Sequence, residues 1–568
     1  MTSHTPRARP VLPDAVVTVA IAAGVAALGA FLVVLLAGNG LNVMTEARDY
    51  ALWGPRIDLP RWLAFPVLDW GSGRLFGQLQ FVLTSKVCKV DAGCFNAVGA
   101  LETAAATAIL VVLTRQLTRS LPMALAAAAL WVTSAPLLGL ALWQAARFDL
   151  LVFTLVLTAM SLWWWVAERP GLGRRGSTGV VVATLALLNL AFNAKEIAYI
   201  LVGLLPIIAV VRGWARPGLV RRNLLLLAIP LLYAAWFIGH GLTHMEPSYA
   251  ARVSSQSLVG GALELARQGL GFGAQSMYLP VGGDPIDGLR IVAAVLYAAL
   301  ALFLVTVALV AGVRAWRASR ARRDRRADPG TDAPRGSMVR IRRFLDRLVP
   351  GGGHVLVLLA VLAGTVPVIA RNDWPAAYYL LLPFWSVAVL GLLLIRRLAR
   401  GTPWPRAVTG VALGLWAAAH VAILVSLLAP GSAHDQLVRD SARVRDIGAT
   451  LRWLLADQAA GPIRWRTIGI PTTEFYLIRD PGRPRLPTLQ WQVGPELFPY
   501  LLLDPGWQRP VTFLTAGSVG ELATAPDDPA TAGDTTIAID DQYRLLLLRV
   551  DDEVLVEAPG AADLGGGG

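Results

Sequence analysis

Four stretches of this chain place ionisable side chains where long apolar runs end. The first, Asn42-Val-Met-Thr-Glu-Ala-Arg-Asp-Tyr50, carries Glu46 and Asp49 three residues apart. On one helical turn these carboxylates share a face, and such a pair can hold one member as a general base. The second, Trp143-Gln-Ala-Ala-Arg147-Phe-Asp149-Leu-Leu, and the third, Leu190-Ala-Phe-Asn-Ala-Lys195-Glu196, each join a cation to a carboxylate in a tight turn. The fourth, Arg371-Asn-Asp-Trp-Pro-Ala-Ala-Tyr-Tyr379, adds an arginine near two tyrosines. Charge at the edge of a bilayer is costly, so an ionisable group there is a functional candidate by default. The plain alternative is charge compensation at helix ends, or polar residues where the chain leaves a membrane.

The elements that must position these groups are apolar. The chain has 568 residues with 16% charged, and its mean hydropathy is +0.55. That is too apolar for a soluble protein of this size and implies many membrane spans. About eleven runs approach spanning length: 15–36, 95–113, 123–142, 148–166, 179–192, 197–211, 224–240, 289–313, 355–370, 377–395 and 407–428. The fifth, sixth and ninth are short. Their central parts are almost free of charge, with Glu102 the main exception.

A net charge of +13 does not point to nucleic acid, because the arginines cluster in short loops between apolar runs. Topology and anionic headgroups explain them better. With the N-terminus inside, every inner segment is arginine-rich, from Arg7 and Arg9 to Arg396, Arg397, Arg400 and Arg406. The inner loop 314–347 is the most basic, and its middle, 327–337, has a disordered composition. The four charged stretches then share the outer side. The short basic segment 1–13 reads as part of a retained signal anchor.

Two outer loops are long, 39–95 and 241–288. Tryptophans in the first suggest short helices at the interface. It also holds both cysteines, Cys88 and Cys94, which a disulfide can join in an oxidising compartment. The second ends with Asp284, Asp287 and then Arg290, an acceptor-side group or a polar entry to the eighth run. His240 and His244 have a metal-ligand spacing, but beyond Glu246 no further ligand is evident, so a divalent metal is left open without being indicated. Trp163-Trp-Trp165 reads as an interfacial anchor. Residues 1–428 thus form a membrane domain. Residues 429–568 read as a soluble outer domain of α/β or α+β class, with a helix over 435–457 and then short strand-like runs near 467–470, 475–478, 511–514, 536–539, 543–550 and 554–556.

The order of these motifs resembles the polytopic glycosyltransferases of the GT-C superfamily, in particular protein O-mannosyltransferases and bacterial family-39-type enzymes. The likeness spans roughly 15–395. It rests on an acidic first outer loop, the Arg147-Phe-Asp149-Leu-Leu turn, the Asn193-Ala-Lys195-Glu196 turn and the late Arg371 and Tyr379 turn. It implies a sugar donor on a polyprenyl phosphate, an acidic base after the first span, and single-displacement inversion. Asp49 matches the base position best and Glu46 second. Arg147, Lys195 and, less closely, Arg371 match cations that bind the leaving phosphate. Asp149 and Glu196 would orient those cations. Two departures leave the base open: the family's adjacent acidic pair is spread as Glu46 and Asp49, and its Arg-Pro is Arg74-Leu75 here. Glycan, lipid and protein acceptors all stay open. The rival reading is a transporter or flippase of a lipid-linked saccharide, and a third is a noncatalytic scaffold for the C-terminal domain.

Overall fold

A computed structural model describes residues 11–37, 75–88, 92–142, 146–167, 174–213, 232, 235, 239, 258–272, 284–324, 353–370, 377–430, 432 and five strands between 465 and 557. Before the strands the described chain is almost entirely helical. The helices are α1 Val11–Ala37, α2 Leu75–Cys88, α3 Ala92–Thr118, α4 Leu121–Val132, α5 Ala135–Leu142, α6 Arg147–Ala167, α7 Arg174–Phe192, α8 Leu201–Gly213, α9 Leu258–Gly269, α10 Asp284–Asp324, α11 Gly353–Ala370, α12 Leu381–Arg400 and α13 Pro405–Leu428. Short 3-10 turns, Glu196–Ile200 and Ala377–Leu380, lead into α8 and α12.

Among the described residues, six helices are long and apolar enough to cross a membrane, and a bent pair makes a seventh if counted as one span. Eleven are therefore not reached. The run 224–240 lies outside the described residues apart from isolated positions. The fifth expected span is apolar only over Val182–Phe192, and α8 has 13 residues. At about 1.5 Å per residue, α8 covers roughly 20 Å of a hydrocarbon core about 30 Å thick.

The bent pair is α4 and α5, which meet at 48°. Pro122 is the second residue of α4, in the first turn where a missing N–H costs nothing, and alanines carry the helix forward. It ends at Thr133 and Ser134, whose hydroxyls donate to the carbonyls of Ala129 and Trp131. His420 of α13 braces this break. Trp416 Nε1 donates to His420 Nε2 at 3.1 Å, so in the neutral ring Nδ1 carries the hydrogen and donates to Thr133 Oγ1 at 2.8 Å.

The largest core runs through α3, α4, α6, α8, α11 and α12. Trp131 stacks on Phe153 with ring centroids 4.7 Å apart and donates to the Leu381 carbonyl. Trp385 donates to Thr114 Oγ1. The indoles of Trp131 and Trp385 thus each have an acceptor on a neighbouring helix, which a water-free interior favours. Trp163 and Trp164 are buried in this core, and only Trp165 of the three is substantially exposed. The anchor expectation for that triplet is corrected accordingly: the first two tryptophans pack between helices. In contrast, α10 leaves Ile291, Leu302 and Leu309 exposed, an apolar surface suited to lipid.

Helices α2 and α9 lie within the two long loops. Gly261 of α9 meets the Ala370 carbonyl at the end of α11, where a Cβ would overlap it. The strands β1 Trp465–Ile468, β2 Val511–Thr515, β3 Thr535–Ile539, β4 Leu545–Val550 and β5 Glu553–Glu557 form one sheet in that order. The first three are parallel neighbours, and β3–β4 and β4–β5 are antiparallel. The expected helix over 435–457 and run at 475–478 lie outside the described residues.

Candidate functional site

Four elements converge on the start of α6. Its first residue, Arg147, is 1% exposed. Two of its nitrogens grip Glu102 of α3: Nε donates to Oε2 at 2.8 Å and Nη2 to Oε1 at 2.7 Å. Nη2 also donates to Thr84 Oγ1 of α2 at 3.2 Å. The guanidinium lies over the Phe81 ring, 5.3 Å from its centroid. A planar fork held by two carboxylate oxygens is fixed in orientation as well as charge. Nη1 is buried and has no hydrogen-bond partner among the described residues.

Two residues further on, Asp149 accepts from Lys195 Nζ at 2.6 Å, and both side chains are buried. Lys195 precedes the turn Glu196–Ile200 in extended backbone, φ −168° and ψ 150°. Its ammonium also faces two rings of the turn Ala377–Leu380, 4.4 Å from the Tyr379 centroid and 5.8 Å from that of Tyr378. Aromatic faces suit an ammonium that has left water.

Helix α2 ties these parts together. Phe76 N–H donates to the Asn193 carbonyl at 3.0 Å, two residues before Lys195. Phe81 packs on Phe148 at 4.8 Å. Gly77 admits the Phe148 ring where a Cβ would overlap it. At its other end α2 is joined to α3 by the Cys88–Cys94 disulfide.

The pairing differs from local expectation. Asp149 holds Lys195, and the carboxylate that orients Arg147 is Glu102. Residues i and i+2 of a helix do not face each other, so Asp149 cannot turn back to Arg147. Glu196 opens its 3-10 turn, with its side chain outside the described residues. Glu46, Asp49 and Arg371 also lie outside them, as do His240, His244 and Glu246. Asp284 and Asp287 occupy the first turn of α10, with side chains outside the described set, and Arg290 is half-buried one turn on. Sequence reasoning assigned no role to Thr84, Phe81 or Gln80. It noted Glu102 without giving it a partner, although a lone carboxylate in an apolar run calls for a cation.

Chemically, the site is a pair of charge-balanced cation–carboxylate couples with buried cations at one end of apolar helices, with aromatic faces beside both cations. It can hold an anionic or strongly polar group away from water. No family model, curated protein or solved structure matches this chain.

Proposed function

We propose that the chain is a membrane glycosyltransferase that moves a sugar from a polyprenyl-phosphate donor to an acceptor hydroxyl at the outer face of the plasma membrane, with its N-terminus in the cytoplasm and its C-terminal domain outside. The observation that carries this reading is the convergence of buried Arg147 and Lys195, each oriented by a carboxylate from another element. Structural charge compensation alone needs no such arrangement, since apolar packing would be no less stable. A donor with a lipid tail and a phosphate head matches a polar site at the end of lipid-facing helices.

In this mechanism Asp49, or Glu46, takes the proton of the acceptor hydroxyl. The acceptor oxygen attacks the anomeric carbon as the bond from that carbon to the phosphate oxygen breaks. The phosphate departs with the bonding electrons, and configuration inverts. Arg147 and Lys195, with Arg371, stabilise the charge growing on it. Asp284, Asp287 and Arg290 serve the acceptor side. The acceptor is a glycan, lipid or protein of the envelope.

One feature favours the transporter alternative: the break between α4 and α5, braced by buried His420, since transporters build their sites at discontinuous helices. The test is sugar transfer by purified full-length protein offered radiolabelled polyprenyl-phosphate sugars and envelope acceptors. Transfer lost in Asp49→Asn or Glu46→Gln, with donor binding kept, supports the mechanism and names the base. No transfer from any donor, with movement of a lipid-linked sugar across liposomes, moves the reading to the transporter.

A further inference from the structure

On α2, Gly77, Gln80, Phe81 and Thr84 recur at i, i+3, i+4 and i+7, the spacing of one helical face. Three of them touch the site directly. Gly77 and Phe81 meet Phe148, Phe81 also lies under the Arg147 guanidinium, and Thr84 accepts from Arg147 Nη2. The fourth, Gln80, is different. Both its amide atoms, Nε2 and Oε1, are buried, and neither has a hydrogen-bond partner among the described residues. Its backbone carbonyl is used, accepting from Thr84 Oγ1 at 2.7 Å, which sets this turn of α2 beside Arg147.

A buried amide with neither donor nor acceptor satisfied is a costly group to keep. A leucine or methionine would fill the same space without that cost. Arg147 has a matching surplus. Its Nε and Nη2 are engaged by Glu102 and Thr84, and its buried Nη1 has no partner among the described residues. The Arg147–Glu102 couple is charge-neutral, so its remaining N–H groups suit an oxygen that need not be fully anionic. Gln80 shares the α2 face of Phe81 and Thr84, which both touch Arg147. An amide that can both donate and accept on that face, with a guanidinium nitrogen that can only donate, fits a hydroxyl-bearing group attached to an acidic oxygen.

We propose that Gln80 is a specificity-determining residue that reads a hydroxyl of the glycosyl group, while Arg147 Nη1 holds an oxygen next to it. The assignment rests on the donor reading above and adds where on the protein the sugar is told apart from its phosphate carrier. Gln80 Oε1 accepts from the sugar hydroxyl and Nε2 donates to that or a neighbouring oxygen. No bond of the substrate is made or broken by this residue.

The test measures binding of farnesyl phosphate and of its mannosyl, glucosyl and arabinofuranosyl esters to full-length protein in nanodiscs, for wild type and Gln80→Leu. The expected result is that at least one glycosyl ester binds wild type more tightly than farnesyl phosphate. In Gln80→Leu that ester weakens about tenfold while farnesyl phosphate is unchanged. Without ligand, Gln80→Leu should unfold at the same or a higher temperature than wild type. A lower unfolding temperature would show that the amide supports the fold and would overturn the assignment. So would equal weakening of both kinds of ligand, or an ester advantage that survives in the variant. If farnesyl phosphate binds and no ester binds better, the subsite fails and the phosphate reading stands. If farnesyl phosphate itself does not bind wild type, the donor reading fails and the subsite falls with it.

Discussion

Arg147 and Glu102 lie 45 residues apart in the chain and meet through two parallel hydrogen bonds, 2.8 and 2.7 Å long. This couple joins the first turn of α6 to the body of α3. Removing Glu102 leaves the Arg147 charge buried and uncompensated, which costs about 3–5 kcal/mol, whereas removing Arg147 leaves a carboxylate that is 26% exposed and costs less. Glu102→Ala is expected to lower the unfolding temperature of the purified protein sharply, and Arg147→Ala to lower it less. The double change Glu102→Leu with Arg147→Met removes both charges together and should recover most of that loss. Transfer activity should not recover with it. A double variant that regains both stability and activity would reduce the couple to a packing device.

The second couple separates charge from shape. Asp149→Asn keeps the side-chain outline but leaves the Lys195 ammonium without its buried counter-charge. A loss of about 3–5 kcal/mol is again expected. Tyr379 makes a smaller contribution through its ring face, about 0.5–2 kcal/mol. Tyr379→Phe preserves that face and should be nearly silent in thermal unfolding, whereas Tyr379→Leu should not. Equal effects from the two tyrosine changes would place the contribution in the hydroxyl instead.

The sequence made Arg147, Asp149 and Lys195 visible because each stands beside a long apolar run, where charge is rare. Their partners were less visible. Glu102 sits well inside an apolar helix, and nothing local to it indicates which distant cation will arrive. The two residues nearest in sequence were the wrong guide, since Asp149 is two positions from Arg147 and turns away from it. Helices α2 and α9 were hidden for another reason. They have 14 and 12 residues, short of a span, and polar residues such as Gln80, Lys86 and Glu264 interrupt their apolar pattern. The break at Thr133 lay inside a continuous apolar run that reads as one span. Its cause is tertiary as well as local, because His420 reaches it from 287 residues away.

The Cys88–Cys94 disulfide joins the two helices that supply Thr84 and Glu102 to Arg147. In the chain-entropy account, closing so short a loop stabilises the fold by about 2 kcal/mol. Cys94→Ser paired with Cys88→Ser should lose that much in thermal unfolding, and a reductant should lower wild type towards the same value. The double serine variant should then be indifferent to reductant. Because the bond holds α2 against α3, the loss should extend to binding of a lipid phosphate.

Gly77 offers the sharpest test of how tightly α2 is seated. A methyl group there would overlap the Phe148 ring and come within 3.1 Å of the Ala194 carbonyl. Phe148 cannot simply swing aside, because its other neighbour is Phe81, the ring beneath Arg147. Relief must therefore come from moving α2 away from α6, which lengthens the Thr84–Arg147 contact, or from moving the turn that carries Lys195. Gly77→Ala raises helix propensity in the first turn, so an isolated α2 would gain modestly from it. In the intact protein overpacking should outweigh that gain and cost about 1–3 kcal/mol. The check is thermal unfolding of Gly77→Ala beside Gly77→Ala with Phe148→Leu. The smaller side chain should restore part of the stability lost in the single variant. If Gly77→Ala is neutral or stabilising by itself, α2 is not packed as closely on α6 as the site requires.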